Sequence, residues 1–315
     1  MRSKILVTGG AGFIGSNLVH ELYKRNYEVV VLDNCSVGNK INPTILSDIN
    51  FIKADVRDSK VVNYASKGCE AIIHLAAVVG VDRVIQRSAE TISTETIGSQ
   101  NIGNAAKING VKKIIYASSS GVYNNTKSTK SQEDDYLHLA NGYSIAKRLN
   151  ELYFDALSTE ANINTYSLRF FNVYGLGQDN RMVVPRFFNQ AYTGNPLIVF
   201  GDGQQTRDFT HVSDVQETVC RFLEMFAPSG IYNISTGIDV PILQLASLIK
   251  DITNSKSDLQ LKKFPIERLA FKVDKRVGCS QKIQTHLKYQ PKVSLYDGLS
   301  MLATQLAKPA VATNY

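Results

Sequence analysis

The sequence has little cysteine, no long apolar run and no block of one charge, and each shortage excludes a class of protein. Cys35, Cys69, Cys220 and Cys279 are scattered over 315 residues with no CxxC pair. Thiols so spaced can neither staple a chain of this length nor form a ligand set, so neither a disulfide framework nor a metal centre is expected. No stretch reaches the ~18 apolar residues of a membrane span. The first apolar run, Ile5-Leu6-Val7, begins near Met1 and stops at Gly9-Gly10, which leaves no room for a secretory leader. A soluble, cytoplasmic protein with no membrane partner is expected. Lys and Arg number 35 against 28 Asp and Glu, for a net charge of +7, but pairs such as Lys112-Lys113 and Lys262-Lys263 are dispersed and lack interleaved aromatic platforms. That dispersal argues against nucleic acid and suits an anionic small molecule better.

What is present is a globular pattern. Hydrophobic residues make up 43% and charged residues 20%, and the length suits about two structural units of ~150 residues around a large core. Up to about residue 170, short apolar runs alternate with amphipathic stretches. Lys4-Ile5-Leu6-Val7 precedes a helical pattern at Ile14, Leu18 and Leu22. Val29 to Leu32, Ala71 to Leu75, Lys113 to Tyr116 and Asn164 to Leu168 repeat the strand signal. Two long helices are expected at roughly 95–108 and 143–159. Such alternation predicts βαβ units, hence an α/β fold with a Rossmann-type doubly wound parallel sheet. The expected division is a dinucleotide-binding domain over 1–170, rejoined by a strand-helix segment around 207–235, and a smaller substrate-binding domain over 171–315. The second half reads as irregular, with loop clusters at 175–180 and 200–203. No internal repeat is visible, and the tail after about Lys308 is expected to fray.

Gly9, Gly10, Gly12 and Gly15 fall between the first strand and the first helix. Glycines there permit a tight turn and let a pyrophosphate approach the N–H groups of a helix N-terminus. Asp33 closes the second strand, where a carboxylate can accept both ribose hydroxyls of an adenosine and repels a 2′-phosphate, so NAD rather than NADP is the expected cofactor. Asp55-Val56, after the third strand, is placed to bracket the adenine, although an Asp after a strand is also a common helix cap.

Tyr143 and Lys147 are four residues apart at the opening of a predicted helix and share one face. A tyrosine of ordinary pKa near ~10 is a poor base at neutral pH; an ammonium one turn away and a positive nicotinamide favour its phenolate. Ser119, at the end of the fifth strand, can hydrogen-bond the reacting oxygen. These three are the candidate catalytic residues.

Together these segments resemble the extended short-chain dehydrogenase/reductase family, in particular its NAD-dependent nucleotide-sugar epimerases and dehydratases of the UDP-glucose 4-epimerase type. The resemblance covers nearly the whole chain. It runs through Thr8 to Gly15, Asp33-Asn34, Asp55 to Asp58, His74 to Ala77, Ser118 to Tyr123, Tyr143/Lys147, Arg169 to Gly175 and Gly203 to Phe209. It implies a cofactor site formed by Gly9, Gly12, Phe13, Ile14, Gly15, Asp33, Asn34, Ser36 and Gly38. Asp55, Val56, Leu75, Ala76, Ala77, Phe170, Tyr143 and Lys147 complete that site. It further implies that Asn172 and Arg207 hold the diphosphate of a UDP-linked sugar, with Val183 and Val184 near the base. Arg207 could instead pair with Asp208 at the surface. Arg276 aligns with the sugar end of the pocket, where it could meet phosphate or a carboxylated sugar. Ser119 and Tyr143 face the same substrate, and the two long helices are expected to form a homodimer.

Related dehydratases and uronate decarboxylases carry an acid two residues before the tyrosine of the Val-Tyr pair, and dehydratases add an Asp before it. Here those positions are Gly121 and Ser120, which favours 4-epimerisation through a 4-keto sugar. A UDP-glucuronate 4-epimerase, a 4-keto nucleotide-sugar reductase and a silent dinucleotide binder are the alternatives. The chain departs from the family at Asn124, Gly142 and Cys279. Glu95 stands where relatives often have Asn, and is read as a cap or a solvent-facing residue.

Overall fold

The computed structural model describes residues 2–78, 80–123, 129–266, 269 and 272–307; Asn124 and the tail after Lys308 lie outside them. The first half runs β1 (Lys4–Thr8), α1 (Phe13–Lys24), β2 (Glu28–Asp33), α2 (Pro43–Leu46), β3 (Asn50–Lys53), α3 (Ser59–Ala65), β4 (Ala71–His74), α4 (Val81–Gln86), α5 (Ser88–Asn109), β5 (Lys113–Ser119), α6 (Gly142–Ala161) and β6 (Asn164–Phe170). The second half runs β7 (Asn172–Tyr174), α7 (Val183–Tyr192), β8 (Leu197–Phe200), β9 (Thr206–Arg207), β10 (Phe209–His211), α8 (Val212–Glu224), β11 (Gly230–Ile234), β12 (Val240–Pro241), α9 (Ile242–Ile252), β13 (Leu259–Lys262), β14 (Lys275–Arg276), α10 (Gln281–Leu287) and α11 (Leu295–Ala307).

The apolar runs become strands buried on both faces, as a parallel sheet requires. Side chains alternate between two cores. Ile5, Val7, Val29, Val31, Ile73 and Ile115 face one core, which α1 (Leu18, Val19, Leu22), α8 (Val215, Val219, Phe222) and α10 (Ile283, Leu287) complete. Leu6, Val30, Leu32, Ile72, Ile114 and Tyr116 face the other, filled by Val62 of α3, Ile102 and Ala106 of α5 and Phe154 of α6. The sheet is parallel throughout with order β11-β6-β5-β4-β1-β2-β3. Its order reverses between β1 and β4, and ligands bind at the carboxyl ends of strands at such a switch point.

Caps position the helices that carry the site. Asn141 and Ser144 form a capping box that starts α6 just before Tyr143. Asp58 caps α3 through the N–H groups of Lys60 and Val61. α5 and α6 pack closely because Gly103 leaves room for Tyr153, whose Oη would lie 2.2 Å from an added Cβ.

The second half departs from the irregular reading. It contains α7 to α11, and α7, α9 and α11 surround a third core of Val184, Phe187, Phe188, Leu197, Val199, Leu245, Ile249 and Leu302. Its strands are two to five residues long, too short for periodicity to register. β11 joins the edge of the main sheet, and α8 packs against α1.

Candidate active site

A cavity of about 460 Å³ opens at the switch point. Its floor is the turn from β1 to α1. Gly9 has a φ of +70°, and a Cβ there would lie 2.6 Å from the Ala76 backbone nitrogen. A Cβ on Gly15 would lie 2.1 Å from the Gly9 carbonyl oxygen. No side chain caps α1, so its first N–H groups face the cleft. Bare backbone at a helix N-terminus is the cradle a pyrophosphate needs, and the residues fit a dinucleotide.

Asp33 lies at the end of β2, 8% exposed, and its two oxygens accept from the N–H groups of Ala11 (2.9 Å) and Cys35 (2.7 Å). Burial pushes this carboxyl up, and the backbone donors oppose the shift. Each carboxylate oxygen has two lone pairs, so acceptor capacity remains for a diol. The Asp55 carboxylate is engaged by Arg57 through Nε (2.8 Å) and Nη2 (2.7 Å), and this guanidinium holds it down at about 2. The Asn34 amide donates to it as well.

Phe13, Ile14, Asn34, Ser36, Asp55 and Val56 line the cavity, as do Leu75, Ala76, Ala77 and Phe170. Gly38 (φ +82°) and Asn172, at the start of β7, are not on its wall. Val183 and Val184 open α7, where they pack on the third core, and Val184 is fully within it.

At the far end the structure brings Ser119, Tyr143, Lys147 and Gly121 to one wall. The Ser119 Oγ accepts from the Gly121 N–H at 3.0 Å, which leaves its own hydrogen to donate. The Lys147 ammonium donates to the Ala117 carbonyl at 2.7 Å and lies 5.5 Å from the Tyr143 ring centre. A Cβ on Gly121 would lie 3.2 Å from Ser119 Oγ and 3.6 Å from Tyr143 Cε1.

Glu95 corrects the sequence reading. It neither caps nor faces solvent: it is 0% exposed, and its Oε2 is 3.0 Å from the Lys147 Nζ. The reason is helix phase, which turns Thr91, Thr94, Glu95, Gly98 and Ile102 of α5 inward together. Lys40, Arg83, Arg87, Gln178, Arg181 and Met182 also line the cavity and were not singled out in the sequence. No motif marks them, although Gln178 falls in a loop cluster that stood out.

Arg207 and Arg276 are adjacent partners in the parallel pairing of β9 with β14. Arg276 lines the cavity, and Arg207 lies behind it, its Nη1 donating to the carbonyls of Thr206 (2.7 Å) and Val273 (2.8 Å). Burial pulls Arg207 down to about 10, and burial together with the charge of Arg207 pulls Arg276 down to about 9. Asp208 is not the partner of Arg207. Its buried carboxylate accepts from Thr236, Gly237 and Gly278.

Among the described residues, no helix is long and apolar enough to cross a membrane, and no group of three or more His, Cys, Asp or Glu is placed to hold a metal.

A glycine cradle at the switch point of a parallel sheet, with a Ser, Tyr and Lys at the strand ends beyond it, defines a dinucleotide-dependent enzyme class. Residues 5–235 match the family described as the NAD dependent epimerase/dehydratase family. The chain belongs to that family and is an NAD-dependent enzyme. It is 33% identical to a UDP-N-acetyl-alpha-D-glucosaminuronate decarboxylase of Bacillus cytotoxicus, over 95% of this chain and 96% of the relative. It superposes with a TM-score of 0.90 and 31% identity on UDP-glucose 4-epimerase of Thermotoga maritima with UDP-glucose, covering 96% of this chain and 98% of that one. The UDP-glucose 4-epimerase of Thermus thermophilus in complex with NAD gives a TM-score of 0.87 at 26% identity, over 97% and 99% of the two chains.

Proposed function

We propose that this protein is an NAD-dependent 4-epimerase of a UDP-hexose or UDP-N-acetylhexosamine. The observation that carries this reading is Gly121. Its missing side chain faces Ser119 and Tyr143, the place from which an additional acid would reach a sugar for dehydration or decarboxylation. Position 121 of that wall therefore offers no acid for a second proton-transfer step. The likeness to the Thermotoga maritima epimerase supports the same reading.

In this mechanism Tyr143 takes the proton of the C4 hydroxyl, and Ser119 donates its hydrogen bond to the same oxygen. Bound NAD supplies the acceptor for the C4 hydride and its return. Lys147 holds the base through its charge and orients the cofactor ribose. Arg276, on the cavity wall, and Arg207 beside it hold the diphosphate while the 4-keto sugar turns its other face. The glycine cradle, Asp33 and the Leu75 to Ala77 segment hold the dinucleotide. A UDP-uronate 4-epimerase is the second reading, favoured by Arg276, a cation that lines the same cavity as Ser119 and Tyr143.

The protein works as a homodimer in this reading. Ile145, Leu149 and Leu152 form an exposed apolar stripe on α6 beside Ile92 and Ile97 of α5, the pattern of an isologous helix interface. Cytoplasmic residence is supported by four free thiols.

The test incubates the protein with NAD and a panel of UDP-hexoses, UDP-N-acetylhexosamines and UDP-uronates, following C4 configuration by proton NMR. Epimer formation without net NADH, abolished in Tyr143→Phe, is expected. Conversion to a dehydrated or decarboxylated sugar overturns the reading.

A further inference from the structure

Glu95 is a buried charged residue beside the Ser119, Tyr143 and Lys147 wall to which the mechanism above gives no task. Glu95 projects from the inner face of α5 into the packing of β4, β5 and α6. Its Oε2 meets the Lys147 ammonium at 3.0 Å and accepts from the Tyr116 hydroxyl at 3.1 Å, while Oε1 has no hydrogen-bond partner. Its backbone carbonyl accepts from Asn150, whose amide also donates to Tyr116. A buried carboxylate is costly unless paired, and a helix position facing a core is ordinarily apolar. The pairing here is with the ammonium that faces the proton-transfer site.

Of the three hydrogens on Lys147, one goes to Ala117 and one to Glu95, so one remains for the cavity side. We propose that Glu95 is a positioning residue for proton transfer: it anchors the Lys147 ammonium beneath Tyr143 and cancels part of the positive field felt by the tyrosine hydroxyl. This rests on Tyr143 being the base. The groups facing the pair from each packed element are His74 of β4, Tyr116 of β5, and Tyr143, Lys147 and Asn150 of α6. Arg276 faces Tyr143 from β14. Burial pulls His74 down to about 3, with Lys147 adding to the shift, and burial pushes Tyr116 well above its ordinary value. Neither carries charge at neutral pH. Burial also pushes the Glu95 carboxyl up, opposed by Lys147. The balance of charge around Tyr143 is therefore set by Lys147, Glu95 and Arg276.

The experiment compares wild type with Glu95→Gln, which keeps an acceptor oxygen for Lys147 and removes the charge, and with Glu95→Asn. The first readout is the pH dependence of kcat/KM for UDP-glucose epimerisation. The second is the near-ultraviolet phenolate titration of the protein with NAD, with Tyr143→Phe as baseline, which needs no turnover. In both, Glu95→Gln is expected to move the midpoint about one pH unit lower, because removing a negative neighbour favours the phenolate. Unshifted midpoints, with the rate lowered equally at every pH, overturn the proposal, as does failure of both variants to fold. If wild type epimerises no UDP-sugar, the proposed function fails, and the phenolate titration still decides the part played by Glu95.

Discussion

Arg276 stands beside Arg207 across the pairing of β14 with β9, and its buried Nε has no hydrogen-bond partner. Two half-buried guanidiniums side by side repel, and a doubly charged anion relieves that repulsion while accepting from both forks. Arg276→Ala and Arg207→Ala are each expected to weaken UDP binding about 10- to 100-fold, the worth of one charge-assisted hydrogen bond. Isothermal titration with UDP checks this; unchanged affinity in both removes the pair from the diphosphate site.

Asp33 provides a second prediction. Its carboxylate is tied to the glycine loop through Ala11 and lines the cavity, and in the proposed function it accepts the adenosine ribose hydroxyls. Asp33→Ala is expected to weaken NAD at least about tenfold without producing tight NADP binding, because no cation replaces the carboxylate. Fluorescence titration with both dinucleotides measures the two affinities.

His74 lies under the sheet end, bonded to Thr8 Oγ1 (2.7 Å) and Ser99 Oγ (3.2 Å). Its folded pKa is pushed down from 6.5 to about 3 by burial first and Lys147 second. The unfolded chain therefore binds a proton below pH 6.5 that the native protein refuses until about 3. The contribution is fully present above pH 6.5 and is lost as pH falls, at up to about 1.4 kcal/mol per pH unit. Denaturant unfolding at a series of pH values is expected to show a shallower acid decline in His74→Gln than in wild type. Parallel declines would place the acid sensitivity elsewhere.

Below the wall formed by Ser119, Tyr143 and Lys147, Arg169 binds Glu151 through Nε and Nη2, both at 2.8 Å, and both residues are buried. Ser118 also donates to Glu151, and Tyr123 to Asn233, so the pair ties β5, α6 and β6 together. Glu151→Ala strands a buried guanidinium and is expected to cost about 3–5 kcal/mol of stability. Thermal and urea unfolding read the loss, and a loss under about 1 kcal/mol would mean that water or another group rescues Arg169.

The parts of this molecule that were legible in the sequence are those whose meaning is local. The Gly9 to Gly15 turn lies between an apolar run and an amphipathic one, and Tyr143 and Lys147 share a face because a helix repeats every ~3.6 residues. Ser119 ends a strand whose continuous apolar run announces it. Glu95 illustrates the opposite case. Its polar neighbours on α5 gave no apolar stripe to reveal which face was inward, and its partner comes from another helix. Lys40 and Arg181 reach the cavity from loops that carry no periodicity at all.

Sequence alone determined the doubly wound sheet, the glycine turn between β1 and α1 and the helix face shared by Tyr143 and Lys147, because each follows from short-range spacing and strand-helix order. Tertiary structure decided which charges meet: Lys147 with Glu95, Arg207 beside Arg276, Glu151 with Arg169. Those pairings depend on the register of strands and the phase of packed helices, and the energy of a buried charge is fixed by its neighbours across the fold rather than along the chain.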